Sequence, residues 1–237
     1  MTAPYWLNPL DRKDFPDVSL AMREPDGLLA IGGDLSIERL LAAYRRGIFP
    51  WYSEDQPILW WSPDPRSVLR PENLIISRSL RKTLKNRIFN VTFDQAFADV
   101  VFQCAQPRRK QAGTWIMDEM REAYIRLHHA GHAHSIESWQ DNKLVGGLYG
   151  IAIGKMFFGE SMFSLVSNAS KVAFVHLVKQ LQRWGYEMID CQVQSAHLDS
   201  LGAENIPRTV FSHAIQHYCQ QPGHDTPWQF DSDILNF

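Results

Sequence analysis

A carboxylate and an amide stand two residues apart in Met188-Ile189-Asp190-Cys191-Gln192-Val193, an otherwise apolar run. The period-two geometry of a strand puts Asp190 and Gln192 on one face and Ile189, Cys191 and Val193 on the other. Burying such a pair without partners costs a few kcal/mol. Two readings stay open: a polar strand end tied by structural hydrogen bonds, or an acceptor pair that orients an amine nucleophile. Glu160 lies in a second apolar run, Phe157-Phe158-Gly159-Glu160-Ser161-Met162-Phe163-Ser164. A buried Glu must be paired, hydrogen-bonded or neutralised. The same stretch resembles a nucleophile elbow, but it lacks the second glycine and the strand-to-helix context, which argues against a serine hydrolase.

Other chemistries are less well supplied. His128, His129, His132 and His134 crowd together, but Gly131 interrupts them and no HExxH is present. A helix C-terminus that favours the imidazoles through its dipole is the better reading, and no metal is expected. The three cysteines, Cys104, Cys191 and Cys219, are far apart and form no CxxC pair. That fits a reducing cytoplasm and argues against a Cys-based zinc site. Acetyl-CoA enzymes place a Gly-rich loop where this chain has Ser164-Leu165-Val166-Ser167-Asn168-Ala169-Ser170-Lys171. Without glycines there, the loop is poorly suited to a pyrophosphate. No Walker or Rossmann pattern appears either, so no cofactor is expected.

The formal net charge of -2 hides an uneven distribution. Residues 78–110 carry a net charge of +6 on an otherwise acidic chain. Within them Arg78, Arg81, Lys82 and Lys85 fall at i, i+3, i+4 and i+7, one face of a helix. This is a solvated basic face or a contact for nucleic-acid phosphates, to which Arg108, Arg109 and Lys110 add. Aromatic residues make up 12% of the chain, with eight tryptophans. They suit either a site built of flat rings or a Trp-rich core.

The elements that must carry these residues are readable in outline. Ser36 is placed to cap a helix through Ile37, Leu40, Leu41 and Tyr44, which Gly47 ends. Ile58 to Trp61 reads as a strand, broken by Ser62-Pro63-Asp64-Pro65. Arg78 to Asn86 reads as a short helix, Ile88 to Phe93 as a strand and the residues up to about Gln103 as a helix. Asp118 to Ala130 is helical up to Gly131. Strands follow at Ala133 to Trp139, Lys143 to Ile153 and Lys155 to Phe163, the first two joined by an Asp141-Asn142 turn. Asn168 is expected to cap a long amphipathic helix that ends near Gly185. A strand at Tyr186 to Val193 and helices at Ala196 to Leu201 and Arg208 to Gln220 complete the chain.

The fold class is therefore α+β. The C-terminal half has the order of a Gcn5-related N-acetyltransferase-like acyltransferase, joined to a smaller N-terminal α+β domain. The expected segments are 1–70, a small N-terminal domain; 71–110, a basic linker; and 111–237, an acyltransferase-like domain. Neither a secretory signal nor a membrane-spanning run is visible, so a cytoplasmic protein is expected.

The motifs together resemble one family. Gly27-Leu28-Leu29-Ala30-Ile31-Gly32-Gly33-Asp34-Leu35, Tyr44-Arg45-Arg46-Gly47-Ile48-Phe49-Pro50-Trp51 and Trp60-Trp61-Ser62-Pro63-Asp64-Pro65-Arg66 are similar to those of the bacterial leucyl/phenylalanyl-tRNA–protein transferases. So are Gly113-Thr114-Trp115-Ile116, Gly131-His132-Ala133-His134-Ser135-Ile136-Glu137, Gly159-Glu160-Ser161-Met162-Phe163-Ser164, Asn168-Ala169-Ser170-Lys171, Ile189-Asp190-Cys191-Gln192 and Leu201-Gly202-Ala203.

The resemblance implies transfer of Leu or Phe, and less readily Met, from aminoacyl-tRNA to proteins beginning with Arg or Lys, marking them for degradation. It implies Asp190 and Gln192 as the catalytic pair, with Glu160 nearby. It implies that Tyr44, Trp51, Trp115 and Tyr124 surround the terminal adenosine. The side-chain pocket it implies includes Leu148, Phe157, Met162, Phe174 and Ile189, with Leu177 and Leu181 further along the same helix. The basic residues Arg78, Arg81, Lys82 and Lys85 would meet tRNA phosphates. An ordinary Asp is too acidic to be an efficient base near pH 7, so Asp190 is expected to orient the amine more than to deprotonate it. A monomer without membrane contact is expected. The competing readings are a CoA-dependent N-acyltransferase and a non-catalytic tRNA-binding module.

Overall fold

A computed structural model describes residues 3–12, 14–106, 117–224, 227–231 and 233–234. The first elements are β1 (Tyr5–Trp6), β2 (Leu28–Ile31), α1 (Ile37–Tyr44), β3 (Phe49–Pro50) and β4 (Leu59–Trp61). Their strands form a small sheet in the order β1-β2-β4-β3. Helix α1 starts as its sequence dictates: Ser36 Oγ accepts the Arg39 N–H at 3.4 Å, and Leu40, Ala43 and Tyr44 turn inward. Gly47 closes the helix at φ 74°. A Cβ there would come within 3.0 Å of Phe211 and Ile215, so the glycine also admits the last helix of the chain.

The rest follows as β5 (Arg66–Leu69), α2 (Arg78–Lys85), β6 (Asn90–Phe93), α3 (Phe97–Ala105), α4 (Asp118–His129), β7 (Ala133–Gln140), β8 (Lys143–Ile153), β9 (Met156–Ser164), α5 (Ala169–Arg183), β10 (Met188–Gln192), α6 (Ala196–Asp199), β11 (Glu204–Ile206) and α7 (Arg208–Tyr218). The large sheet runs β11-β5-β10-β9-β8-β7-β6. Strands β7, β8 and β9 form an antiparallel meander, and β10 adds parallel to β9 after α5. This is the acyltransferase-like order expected from the sequence. The turn between β7 and β8 is the Asp141-Asn142 pair at φ 51° and 58°, the left-handed geometry that a two-residue hairpin needs.

Side chains alternate across the large sheet into two apolar clusters. One holds Tyr149, Ile151 and Phe158 with α1, α3, α4 and the small sheet. The other holds Leu148, Phe157 and Ile189 with α2 and α5. Gly146 lets α5 approach, since a Cβ there would lie 2.5 Å from that of Ala169. Among the described residues no helix is long and apolar enough to cross a membrane.

Two details differ from the sequence expectations. Strand β5, within the 1–70 segment, belongs to the large sheet, and β6 from the 71–110 segment forms that sheet's far edge. Asn168 precedes α5 but does not cap it through its side chain. It sits at φ 68°, and its Nδ2 donates instead to Thr83 Oγ1 at 3.2 Å.

Candidate active site

Parallel pairing of β9 and β10 stops at Asp190 opposite Phe158. The strands then part, and a cavity of about 970 Å³ opens there. Leu148, Phe157, Met162, Phe174 and Ile189, all expected in the side-chain pocket, line it. Leu177 and Leu181 do not; they are buried in the apolar core behind it, one and two turns further along α5. Glu160 and Asp190 supply acidic groups at the wall.

Two bulges aim the polar residues. On β9, Tyr149 pairs with Ser161 while its neighbour Gly150 pairs with Gly159, leaving Glu160 as the extra residue. On β10, Asp190 pairs with Val68 and Gln192 with Ser67, so Cys191 is the extra residue and Gln192 takes φ 62°. The strict alternation expected for Asp190 and Gln192 therefore breaks between them. Bulges of this kind commonly re-aim side chains at functional sites.

Glu160 is the hub. Its Oε1 accepts from Tyr44 Oη at 2.8 Å and from Gln192 Nε2 at 2.8 Å, and its Oε2 accepts from Tyr124 Oη at 2.5 Å. The two tyrosine oxygens lie 2.9 Å apart. Burial pushes the Glu160 carboxyl up to about 7, against the opposing pull of the two phenols. Desolvation likewise drives Tyr44 and Tyr124 well above the ordinary phenol range, so both remain neutral donors.

Asp190 plays a different part. It is fully buried, and both oxygens meet Arg66, Nε to Oδ1 at 2.8 Å and Nη2 to Oδ2 at 2.7 Å. Oδ1 also accepts the backbone N–H of Gln192 at 2.9 Å. The Arg66 guanidinium lies between the rings of Phe49 and Phe211, 4.7 Å from each centroid. Asp190 thus fixes the Gln192 backbone, while the Gln192 side chain reaches Glu160. Sequence reasoning missed Arg66 as a site residue, because its partner lies 124 residues away. Its signals are its place at the end of the Trp60–Arg66 motif and directly after the Pro63-Asp64-Pro65 break.

The expected adenosine residues divide. Tyr44 and Tyr124 are fully buried and present hydroxyls to Glu160 rather than free ring faces. Trp51 is 45% exposed and lies 5.7 Å from the Trp61 ring, whose Nε1 donates to the Trp51 carbonyl at 2.6 Å. Trp115 lies outside the described residues, as do Arg108, Arg109 and Lys110. Among the described residues no tryptophan lines the cavity. On α2, Leu80 and Leu84 are buried, and Arg78, Arg81, Lys82 and Lys85 all point to solvent.

The histidines serve local structure. His128 Nδ1 meets the Ala133 carbonyl at 2.8 Å, and His134 Nδ1 meets Asp94 Oδ2 at 2.8 Å. Among the described residues no group of three or more His, Cys, Asp or Glu side chains is placed to hold a metal ion.

Comparison with known proteins agrees with this architecture. Residues 68–216 match the family described as leucyl/phenylalanyl-tRNA protein transferase, and residues 33–64 match its N-terminal domain. A leucyl/phenylalanyl-tRNA–protein transferase of Aromatoleum aromaticum is 63% identical over 219 residues, 92% of each chain. That of Azotobacter vinelandii is 59% identical over 90% of this chain and 94% of its own. That of Cellvibrio japonicus is 57% identical over 92% of each. Identity this high over most of both chains, with the carboxylate-lined cavity inside the matched region, means that the chain belongs to the leucyl/phenylalanyl-tRNA–protein transferase family.

Proposed function

We propose that this chain transfers Leu or Phe, and Met less readily, from aminoacyl-tRNA to proteins beginning with Arg or Lys, by aminolysis beside Glu160. Family membership carries the transfer itself: the chain is an aminoacyltransferase that moves an aminoacyl group from tRNA to a protein. The observation that carries the chemistry is a buried carboxyl at the wall of an apolar cavity, held by two phenol hydroxyls and the Gln192 amide; burial raises it to about 7. A base with that affinity is matched to neutral pH.

The donor ester is already activated, so no energy source is needed. The α-amine of the acceptor, with an ordinary pKa of about 7.7–8.0, attacks the ester carbonyl. A C–N bond forms, and the C–O bond to the terminal ribose breaks. Glu160 takes the proton lost by the neutral amine and passes that same proton to the departing ribose oxygen, which leaves as a hydroxyl. Gln192 keeps its side-chain carbonyl for an amine hydrogen while its Nε2 holds Glu160. Asp190, with both oxygens on Arg66, acts through Gln192 instead of on the amine.

The cavity takes the aminoacyl side chain. Apolar walls separate such groups by roughly 1–3 kcal/mol per methylene. Trp51 and Trp115 are the rings assigned to the terminal adenine, where stacking contributes about 1–3 kcal/mol per base without reading sequence. Tyr44 and Tyr124 instead hold Glu160 through their hydroxyls. The exposed basic face of α2 meets acceptor-stem phosphates, which suits an enzyme that accepts several tRNAs.

The test is incubation with radiolabelled Leu-tRNA or Phe-tRNA and a peptide beginning with Arg. Label should enter that peptide and not one beginning with a small neutral residue. Tight binding of charged tRNA with no ester loss would make the chain a binding module. Heat released on titration with acetyl-CoA would favour the CoA-dependent alternative.

A further inference from the structure

Phe157 is a wall of the cavity, and its position is set from behind. Its ring lies against the bare backbone of Gly150: a Cβ there would come within 2.6 Å of Phe157 Cε1 and Cζ. Gly150 pairs across the sheet with His134. The ring of Trp228, from the C-terminal tail, stacks on the His134 imidazole at 3.7 Å and 5°. Its centroid lies 6.0 Å from that of Phe157. Trp184 and Tyr186 pack edge-on to the same indole, at 5.0 and 6.1 Å.

The contacts on both sides of this stack are firm. His134 is pinned by Asp94. Past Trp228 the tail is fastened to α5. Gln180 and Asp231 exchange two hydrogen bonds at 3.0 and 2.9 Å, and Arg183 Nη2 meets Asp233 at 2.8 Å. Phe230 stacks on Phe93 at 4.0 Å. Trp228 is thus a buried, well-held ring that closes the space into which Phe157 would otherwise retreat, and it touches neither Glu160 nor the cavity itself.

We propose that Trp228 is a specificity-determining positioning residue: by backing Phe157 it sets the depth of the pocket and hence the preference between Phe and Leu. This rests on the reading of the cavity as the aminoacyl side-chain pocket. Removing the indole lets Phe157 recede and deepens the pocket, which favours the larger Phe side chain.

The test compares kcat/KM for Phe-tRNA and Leu-tRNA in the full chain. Trp228→Leu raises the Phe-over-Leu ratio about threefold or more, within the range that small changes in an apolar pocket produce. Trp228→Phe, which keeps a ring on His134, returns the ratio toward that of the parent protein. Asp231→Ala, which loosens the tail and keeps the indole, gives a smaller shift in the same direction and serves if Trp228→Leu does not fold. Met162→Ala alters the wall directly. If Met162→Ala moves the ratio and the tail variants do not, the role of Trp228 is overturned and the pocket stands. If no variant moves it, the pocket assignment falls as well.

Discussion

Arg66 grips Asp190 with two parallel hydrogen bonds of 2.8 and 2.7 Å, both groups out of reach of water. Removing one partner of a buried pair strands the other charge and costs about 3–5 kcal/mol. Arg66→Ala is therefore expected to lower unfolding stability by that amount, read from urea denaturation. Arg66→Lys keeps the charge but cannot reproduce the planar two-pronged contact. It should lose transfer at least about tenfold while binding charged tRNA nearly as well as the parent. An Arg66→Ala protein as stable as the parent would remove the pair from the framework of the site.

Glu160 gives a pH prediction with a definite sign. Its carboxyl is raised to about 7 in the folded chain, against about 4.3 in an unfolded one. As a base it works only when ionised, so the single-turnover rate should climb as pH rises through about 7. Stability runs the other way. Between the unfolded and folded values the native state holds a proton that the unfolded state has released, so stability falls as pH rises across that window. The loss approaches roughly 3–4 kcal/mol if Glu160 acted alone. Glu160→Gln should abolish the rate inflection and flatten the stability slope between about pH 4 and 7. A Glu160→Gln enzyme with the parent's pH–rate curve would exclude Glu160 as the base.

What the sequence discloses depends on how local the cause is. Helix α1, the Asp141-Asn142 hairpin and the Gly131 stop are decided by neighbours in the chain, and they read correctly. Strand β5 is decided elsewhere: all of its residues are buried, yet it contains an Arg whose partner lies 124 residues away. Alternation cannot announce a bulge, because the extra residue is chosen by the facing strand. Glu160 owes its aim to β8, and Cys191 its displacement to β5. The family resemblance points to Tyr44 and Tyr124, but a ring type does not reveal which end makes the contact. Here it is the hydroxyl, since α1 and α4 bury both rings against the sheet. The role of Trp228 needed the tail to be seen lying across β7 and α5.

The two phenols offer a test that separates their hydroxyls from their rings. Each donates to Glu160 and so favours its ionised form. Tyr44→Phe and Tyr124→Phe keep the buried ring and remove the donor. Each should move the rate inflection to higher pH and slow transfer at neutral pH by about tenfold, the equivalent of one charged hydrogen bond. If the rings serve instead as faces for adenine, the Phe variants should leave the inflection unmoved, because the stacking surface survives.

The basic face of α2 predicts a change in binding with no change in chemistry. Arg81 and Lys82 are exposed, while Leu80 and Leu84 of the same helix are buried. Counterion release makes each phosphate contact contribute about 0.7–0.9 to the slope of log affinity against log salt. The double variant Arg81→Ala with Lys82→Ala should therefore raise KM for aminoacyl-tRNA and reduce that slope by about 1–2. The rate at saturating tRNA should stay that of the parent, since Glu160 and Gln192 are untouched. The measurement is tRNA affinity over a salt series, paired with single-turnover transfer. An affinity loss equal at every salt concentration would mean that these side chains do not meet phosphates, and the face would then be only a solvated one.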